Sequence, residues 1–390
     1  MLIFMGSNSR RLAMAQFVYK KLWKMLIDRD LKKKDLQSLA HISASSVAKL
    51  VRNENVNTSI LMKICDALNC DITDIVEIEN DDQVFGYKTI DLFSGCGGMS
   101  LGFQNAGFDI VAAYDNWNPA VKVYRKNFHD HPIFDNDLSD EKVQNEIAMM
   151  RPEIIIGGPP CQDFSSAGHR DVSLGRAALT LSYKDIILKA RPPYFVMENV
   201  PQIQKYDILN TVIDCFHDAG YSLTQIVLDA SYCGVPQSRK RFFLIGALNS
   251  KENFLEHTLS SNQTPNQLTM REYFESIGVD FGVDYYFRVP RSYSRRGIFS
   301  IDEPCQTIRG VDRPIPPGYP GHPSDPVPMG PNVKALSIEE RSYVQTFPVG
   351  FEFEGNRTDL NQMIGNAVPV KLAQFVANAL KEYIETRERV

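Results

Sequence analysis

Residues 88–246 alternate short apolar segments with amphipathic ones, and this alternation limits the possible folds more than any other feature. The apolar segments are rich in β-branched and aromatic residues, as buried strands are, and the segments between them have helical spacing. This alternation predicts a doubly wound, mostly parallel α/β sheet. The predicted strands are 88–93, 110–114, 133–134, 154–156, 194–197, 225–229 and 241–246, and the predicted helices are 99–106, 118–128, 179–190 and 207–219.

The most apolar of these strands, Ile154–Ile156, runs into two glycines and two prolines and then a single thiol, Cys161. Open α/β sheets bind their ligands beyond the carboxyl ends of the strands, which is where this thiol falls. The prolines restrict the backbone in front of it. The pattern favours Cys161 as a nucleophile, with a small buried apolar residue as the alternative.

A glycine-rich turn at 93–98 follows the first predicted strand and opens a helix. Small residues there let backbone amides approach a nucleotide-like ligand close to a helix N-terminus. About twenty residues later, Asp115 ends the second strand, where an acid commonly accepts hydrogen bonds from ribose hydroxyls. The alternative for Asp115 is an exposed loop acid.

Residues 11–80 differ from the rest of the chain in pattern and in charge. Residues 1–60 contain eleven Lys or Arg and four acidic residues, a local excess that suits a polyanion. Helical segments at 33–39 and 45–51, joined by a tight turn with Ser43 as a candidate cap, indicate a helix-turn-helix. A small helical bundle for packing or dimerisation is the alternative. The acidic stretch 77–82 is the predicted linker to the remainder.

The chain has 390 residues, a formal net charge of −5 and seven cysteines. The cysteines form no Cys-x-x-Cys pair, so neither a zinc site nor a disulfide framework is predicted. An odd cysteine count without a secretory signal fits a reducing compartment. No apolar stretch is long enough to span a bilayer. We therefore expect a cytoplasmic protein with no metal and no membrane partner.

Several short motifs follow one another in a fixed order. They are Phe-Ser-Gly-Cys-Gly-Gly at 93–98, Gly-Gly-Pro-Pro-Cys-Gln at 157–162, Glu-Asn-Val at 198–200, Gln-Ser-Arg-Lys-Arg at 237–241, Glu-Pro with Thr-Ile-Arg in 303–309, and Gly-Asn-Ala-Val-Pro at 365–369. With these motifs, residues 86–385 resemble the DNA (cytosine-5)-methyltransferases. Residues 33–55 resemble the Cro/repressor-type helix-turn-helix family.

The resemblance implies a covalent mechanism. Cytosine C5 is a poor nucleophile, and addition of a thiolate at C6 makes C5 reactive toward a methyl sulfonium. Cys161 would be that nucleophile, Glu198 would act at N3, and Arg241 would hold O2, with Arg239 as a second candidate for the base or its phosphate. A structural salt bridge between Glu198 and the arginines is the alternative.

The resemblance also implies S-adenosylmethionine as the methyl donor. In this family the ribose acid is usually Glu and is followed directly by an aromatic residue, whereas here Asp115 is followed by Asn116 and then Trp117. The donor-binding residues carried over are Phe93, Ser94, Gly95, Cys96, Gly97, Gly98, Asp115, Asn116, Asp137, Pro160, Leu179, Asn366 and Val368.

The DNA contacts follow from the same resemblance. Residues 251–313 fall where the family keeps its target-recognition region, and their basic and aromatic residues suit base edges and phosphates. A role in surface solubility is the alternative for these arginines. The candidate DNA contacts are Gln162, Ser165, Gln237, Arg291, Arg295, Arg296 and Arg309, together with Lys33, Lys49 and Arg52 in the helix-turn-helix.

The predicted organisation is an all-α helix-turn-helix domain at 11–80, a catalytic domain at 86–250, a target-recognition region at 251–313 and a C-terminal segment at 314–390 that returns to the catalytic domain. The expected function is a restriction-modification methylase that flips cytosine out of duplex DNA. Its helix-turn-helix would add DNA affinity or repress its own operon, and a cognate endonuclease is the expected functional counterpart. Cytosine-5 methylation of RNA and a DNA-binding regulator with an inactive methylase domain remain as alternatives.

Overall fold

The structure is a computed structural model that describes residues 16–29, 31–51, 54, 56–79, 86–160, 173–290, 292 and 294–388. The chain divides into two compact units, residues 1–85 and 86–390. Each unit has its own apolar core. None of the described helices is both long and apolar enough to cross a membrane.

The first unit is a small helical bundle with one two-stranded antiparallel sheet. Leu36, Leu50 and Ile64 are buried in its core, and Ser43 Oγ accepts a hydrogen bond from the Ser46 amide at the start of a helix, as predicted for a cap. Its elements are β1 (Gln16–Val18), α1 (Lys20–Asp28), α2 (Lys33–Leu39), α3 (Ala44–Val51), α4 (Thr58–Leu68), α5 (Ile72–Ile75) and β2 (Glu77–Glu79).

The β1–β2 pairing corrects two expectations. The first three residues of the predicted acidic linker form β2, and the unit is not wholly helical as expected. The two strands lie about sixty residues apart in the sequence, so local pattern could not reveal that they pair.

The second unit is built on one large sheet with two small sheets. Its strands are β3 (Lys88–Leu92), β4 (Asp109–Tyr114), β5 (Ile133–Phe134), β6 (Ile154–Gly157), β7 (Tyr194–Asn199), β8 (Tyr221–Asp229), β9 (Gln237–Ser238), β10 (Lys240–Leu248), β11 (Tyr285–Phe287), β12 (Ile298–Ser300), β13 (Cys305–Gln306) and β14 (Val333–Ala335).

The large sheet has the strand order β5-β4-β3-β6-β7-β10-β8. The strands from β5 to β7 pair in parallel, and β10 runs antiparallel to both of its neighbours. The direction in which strands are added reverses between β3 and β6, which is the kind of switch point where such sheets bind ligands. The predicted doubly wound, mostly parallel α/β fold is therefore confirmed.

Helices cover both faces of the large sheet, so its central strands are apolar throughout. Along β6, Ile154 and Ile156 enter one core and Ile155 enters the other, as expected for side chains that alternate along a strand. The helices are α6 (Gly98–Asn105), α7 (Asn118–Asn127), α8 (Glu141–Met149), α9 (Ser173–Ala190), α10 (Asp207–Asp218), α11 (Glu256–Ser261), α12 (Met270–Ser276), α13 (Ile338–Val344), α14 (Arg357–Asn366) and α15 (Val370–Glu388).

The small sheets combine segments that are distant in the sequence. One has the order β12-β11-β14, and the other pairs β13 with β9. Since β14 lies at 333–335, the three-stranded sheet uses residues on both sides of position 313. Leu255 and Leu259 pack in a core of the large sheet, so the chain leaves that core only after α11.

Candidate active site

A cavity of about 340 Å³ lies beyond the carboxyl ends of β3, β4, β6 and β7. We call it the strand-end cavity. It brings together almost all of the residues predicted to bind a donor and also Glu198 and Arg241. From the predicted donor-binding set, its lining contains Phe93, Ser94, Gly95, Cys96, Gly98, Asp115, Asn116, Asp137, Pro160, Leu179, Asn366 and Val368.

The glycine-rich turn forms one wall of the strand-end cavity. Gly97, which is not among the lining residues, adopts φ +95°, and a Cβ there would lie 2.3 Å from the Phe128 ring. A Cβ on Gly98 would lie 2.3 Å from the Val368 carbonyl oxygen. Glycine at 97 therefore lets the Phe128 ring pack against the turn, and glycine at 98 lets the chain around Val368 close against the start of α6.

Asp115 holds this turn in place. Its carboxylate accepts hydrogen bonds from the Gly95 and Trp117 amides, each at 2.8 Å. Burial raises the pKa of Asp115, and these two hydrogen bonds lower it. Trp117 reaches the cavity as well, so an aromatic ring is available although Asn116 follows Asp115 directly. The exposed Asp137 lines the cavity and accepts from the Ser139 amide and hydroxyl.

Glu198 and Arg241 form a buried ion pair, with Nε and Oε1 2.7 Å apart. Glu198 stands near the carboxyl end of β7, and Arg241 comes from the neighbouring antiparallel strand β10. Burial raises the pKa of the Glu198 carboxyl, while the positive charges of Arg241 and Arg239 lower it. A carboxyl held in this way can carry a proton and present it inside the cavity.

The segment that leads to Cys161 is fixed next to this pair. The Asn199 side-chain amide donates to the Pro159 carbonyl oxygen at 3.1 Å, which ties the end of β6 to the end of β7. Pro160 lines the strand-end cavity together with Glu198. Cys161 itself lies outside the described residues, as do four other candidates: Gln162, Ser165, Arg291 and Arg52.

Arg239 and Gln237 have different surroundings from those expected. Arg239 is 1% exposed and donates to the carbonyl oxygens of Ile308 and Gly365 at 2.9 and 2.8 Å. Gln237 is fully buried, donates to Gln345 Oε1 and accepts from the Ile308 amide. Both side chains are therefore held in the interior, Gln237 on β9, which pairs with β13, and Arg239 by its hydrogen bonds to two carbonyl oxygens.

Two adjoining cavities of about 530 and 220 Å³ lie beside the three-stranded sheet, and we call them together the recognition groove. Arg309 lines both cavities, and the exposed Arg295 lines the smaller one. Arg296 pairs with Glu303 at 2.5 Å and lies over the Phe299 ring. The groove thus has the basic and aromatic character expected from the sequence. Arg341, which was not predicted, lines the larger cavity from α13.

In the first unit, α2 and α3 form a groove of their own. Lys33, Lys34 and Val47 line it, and the Lys33 ammonium lies 5.2 Å from the centre of the Trp23 ring. Lys49 is exposed on α3. The predicted phosphate contacts Lys33 and Lys49 are thus on the two helices of the helix-turn-helix.

The lining of the strand-end cavity suits a cationic ligand. Asp91, Asp115 and Asp137 line it with carboxyl groups, while the carboxyl group of Glu198 is paired with Arg241. Within the described residues, Asp91 Oδ1 and Ser94 Oγ are buried without a hydrogen-bond partner, and such groups normally have one. Asp91 was not predicted, since a buried acid inside a strand looks like part of the strand pattern. No described group of three His, Cys, Asp or Glu side chains could hold a metal ion.

Comparisons with known proteins agree with this geometry. The family model for C-5 cytosine-specific DNA methylases matches residues 87–286 and 288–382, and that for Cro/C1-type helix-turn-helix DNA-binding domains matches residues 21–81. The type II methyltransferase M.HindV of Haemophilus influenzae is 57% identical over 75% of this chain and 96% of its own length. The type II methyltransferase M.HgiDI of Herpetosiphon aurantiacus is 51% identical over 76% of this chain and 95% of its own length.

Solved structures show the same fold at low sequence identity. The S. pombe Dnmt2 methyltransferase superimposes with a TM-score of 0.58 at 18% identity, over 76% of this chain and 99% of that one. The Entamoeba histolytica methyltransferase EhMeth gives 0.55 at 19% identity, over 77% and 98%. The chain belongs to the C-5 cytosine-specific DNA methylases, and it is a DNA (cytosine-5-)-methyltransferase that carries an N-terminal Cro/C1-type helix-turn-helix domain.

Proposed function

We propose that the enzyme transfers a methyl group from S-adenosylmethionine to C5 of a cytosine that is flipped out of a short duplex DNA sequence. The observation that carries this proposal is the buried Glu198–Arg241 pair, which lines the same cavity as the glycine-rich turn. A base and a donor can therefore meet in one enclosed space. The identities to type II methyltransferases support a role in a restriction-modification system, with a cognate endonuclease acting on the same sequence.

The donor would occupy the part of the strand-end cavity next to the glycine-rich turn. S-adenosylmethionine supplies an electrophilic methyl group on a positively charged sulfur. Asp115 and Asp137 would accept hydrogen bonds from its ribose and adenine, and the turn at 94–98 would lie against its methionine part. Asn366 and Val368 would close the cavity. The excess of carboxyl groups in the lining matches the positive charge of this donor.

The base would lie between Cys161 and the Glu198–Arg241 pair. The Cys161 thiolate would form a bond to C6, and Glu198 would place its proton at N3 as negative charge develops on the ring. Arg241 would stabilise the same charge at O2. The burial that raises the pKa of Glu198 keeps this proton available. After methyl transfer, loss of the C5 proton and release of the thiolate would restore aromaticity.

The target base would have to leave the duplex, because C5 and C6 are enclosed within the base stack. Arg295 and Arg309 in the recognition groove would contact the DNA on one side. Arg291, from the same target-recognition region, would contact it as well, and Gln162 and Ser165 would fill the vacated position or touch a phosphate. The helix-turn-helix, with Lys33, Lys49 and Arg52, would bind a second DNA segment and repress the enzyme's own operon. An electrophoretic mobility shift with the upstream promoter, using the compact unit 1–85, tests this last role.

Bisulfite sequencing of a plasmid from cells that express the enzyme tests the proposal. We expect one short sequence to be protected at every copy, and no protection in cells that express Cys161→Ala. A parallel assay should show methyl transfer to duplex DNA and none to transfer RNA. Transfer to RNA alone would replace the proposal with an RNA methyltransferase. No transfer to either substrate would favour a DNA-binding regulator.

A further inference from the structure

Four buried polar side chains, joined by hydrogen bonds, run from the strand-end cavity into the protein, and we call them the hydrogen-bond chain. It starts at Asp91 on β3 and passes through Ser100 on α6 and Tyr124 on α7 to His131. Ser100 Oγ donates to Asp91 Oδ2 at 2.5 Å, and the Tyr124 hydroxyl donates to Ser100 Oγ at 2.8 Å. Tyr124 and His131 Nε2 are 2.6 Å apart. All four side chains are buried.

The donors in this chain all point the same way. A phenol has one proton, and Tyr124 gives it to Ser100, so His131 Nε2 must carry the proton in its bond to Tyr124. His131 is then neutral, which agrees with a pKa lowered by burial. In this tautomer His131 Nδ1 carries a lone pair and no proton. It is buried and has no hydrogen-bond partner among the described residues. The hydrogen-bond chain therefore ends at Asp91, which accepts the last hydrogen bond.

Asp91 is poised between its two protonation states. Burial raises its pKa to about 7, the hydrogen bond from Ser100 lowers it, and the charge of Asp115 raises it. Tyr124 and Tyr183 are the phenols that face Asp91, and Asp130 faces His131. The hydrogen-bond chain thus supplies one of the few contacts that favour the carboxylate form of Asp91.

We propose that Ser100, Tyr124 and His131 are positioning residues for the methyl donor: together they hold Asp91 as an oriented carboxylate in the cavity wall, beneath the donor's cationic methionine end. The inference rests on the proposed donor and adds three residues that do not line the strand-end cavity. A cation bound beside Asp91 favours the carboxylate form of Asp91, and the hydrogen-bond chain supplies the hydrogen bond that stabilises this form. Donor affinity should therefore depend on side chains that the donor does not touch.

Tyr124→Phe tests the hydrogen-bond chain because it removes the hydroxyl and keeps the ring, which stacks on Phe128 with 4.2 Å between centroids. Tyr221→Phe is the matched control, because Tyr221 is also buried and its hydroxyl donates to the Pro192 carbonyl oxygen at 2.7 Å. Isothermal titration calorimetry with S-adenosylmethionine measures the effect. We expect the dissociation constant to rise by about threefold to tenfold in Tyr124→Phe and to stay unchanged in Tyr221→Phe. Affinity for duplex DNA should not change in either variant.

The pH profile separates this role from a general structural one. Donor affinity of the wild type should rise with pH as Asp91 loses its proton around pH 7. In Tyr124→Phe, Ser100 stabilises the carboxylate less well, so the rise should occur at higher pH. Asp91→Asn should bind weakly with no such rise. Below about pH 7.5 the shift appears as a rise that has barely begun in Tyr124→Phe where that of the wild type is half complete, and above it the donor's own α-amino group titrates as well, at about 7.7–8.0 for an α-amino group.

His131 provides a second pair of variants in case Tyr124→Phe fails to fold. His131→Gln retains an N–H donor and should approach the wild-type affinity, whereas His131→Leu should behave like Tyr124→Phe. Wild-type affinity and an unshifted pH profile in both Tyr124→Phe and His131→Leu would overturn the inference while leaving the proposed function intact. A wild-type enzyme that does not bind S-adenosylmethionine would overturn the proposed function and this inference together.

Discussion

The strand-end cavity and the recognition groove are both lined by charged side chains, but those side chains are held in different ways. In the cavity, Asp91 Oδ1 and Ser94 Oγ are buried with hydrogen-bonding capacity unused within the described residues. In the groove, Arg288 donates to the Thr307 carbonyl oxygen and Arg296 pairs with Glu303, although the buried Arg341 Nε has no hydrogen-bond partner among the described residues. The cavity thus keeps polar atoms available for a ligand, whereas much of the groove's charge already stabilises the protein itself.

This difference teaches that charge at a surface and charge in an enclosed site have separate consequences. A buried group that lacks a partner is costly until a ligand supplies one, so it points to binding in that place. An arginine with an intramolecular partner contributes to the fold as well as to any DNA contact. We therefore expect cavity substitutions to change catalysis or donor binding, and groove substitutions to change DNA affinity or stability.

The largest effect should come from Glu198→Ala. Loss of a general acid should lower kcat by about 10²–10⁴-fold, while the donor's dissociation constant changes little. Glu198→Gln, the matched control, retains a hydrogen-bond donor for N3 and should lose less. Single-turnover methyl transfer measures both. Equal loss in the two variants would mean that a hydrogen bond to N3 cannot replace the carboxyl proton, whereas wild-type turnover in both would remove Glu198 from the chemical step.

Cavity walls that depend on close packing should be sensitive to one added methyl group. Gly98→Ala should destabilise the protein by about 1–3 kcal/mol, because its Cβ would meet the Val368 carbonyl oxygen at 2.3 Å. Urea denaturation followed by circular dichroism measures this. Gly330→Ala has its nearest atom at 3.9 Å and should be near neutral. Similar stability of the two variants would contradict the packing described at the start of α6.

Asp115 should affect donor binding more than turnover. Asp115→Asn keeps an oxygen that can accept from one amide, but it loses the charge and one of the two hydrogen bonds to the turn. We expect donor affinity to fall by about tenfold, with kcat at saturating donor close to that of the wild type. Initial rates over a range of donor concentrations test this. A fall in kcat with unchanged KM would assign Asp115 to the chemical step instead.

The smallest effects should separate two neighbouring arginines in the groove. Arg295→Gln should weaken DNA binding several-fold and reduce the salt dependence by about one unit of slope, as expected for one lost phosphate contact. Arg296→Gln should also lower thermal stability, because it breaks the pair with Glu303. Fluorescence anisotropy at several salt concentrations, together with thermal melts, distinguishes the variants. Identical behaviour would mean that the ion pair with Glu303 makes no difference between the two positions.

The sequence predicted the cavity well because its residues follow strand ends, and parallel strands end at the same edge of a sheet. Asp115 and Glu198 could be placed by that rule alone. Arg239 could not, because its side chain is held by the carbonyl oxygens of Ile308 and Gly365, which are distant in the sequence. The chain from Asp91 to His131 was missed for a similar reason: each member looks like an ordinary core residue until α6 and α7 bring them into contact. The third strand of the recognition sheet, β14, also lay beyond the range of local pattern.

Mass spectrometry of the enzyme with duplex DNA that contains 5-fluorocytosine at the target tests whether Cys161 bonds to the base. Fluorine at C5 blocks the elimination that releases the thiolate. The account predicts an adduct of protein and DNA that forms only with S-adenosylmethionine present and whose cross-linked peptide contains Cys161. Cys161→Ser should give no adduct but still bind the DNA. An adduct at another residue, or methyl transfer by Cys161→Ser at the wild-type rate, would contradict it.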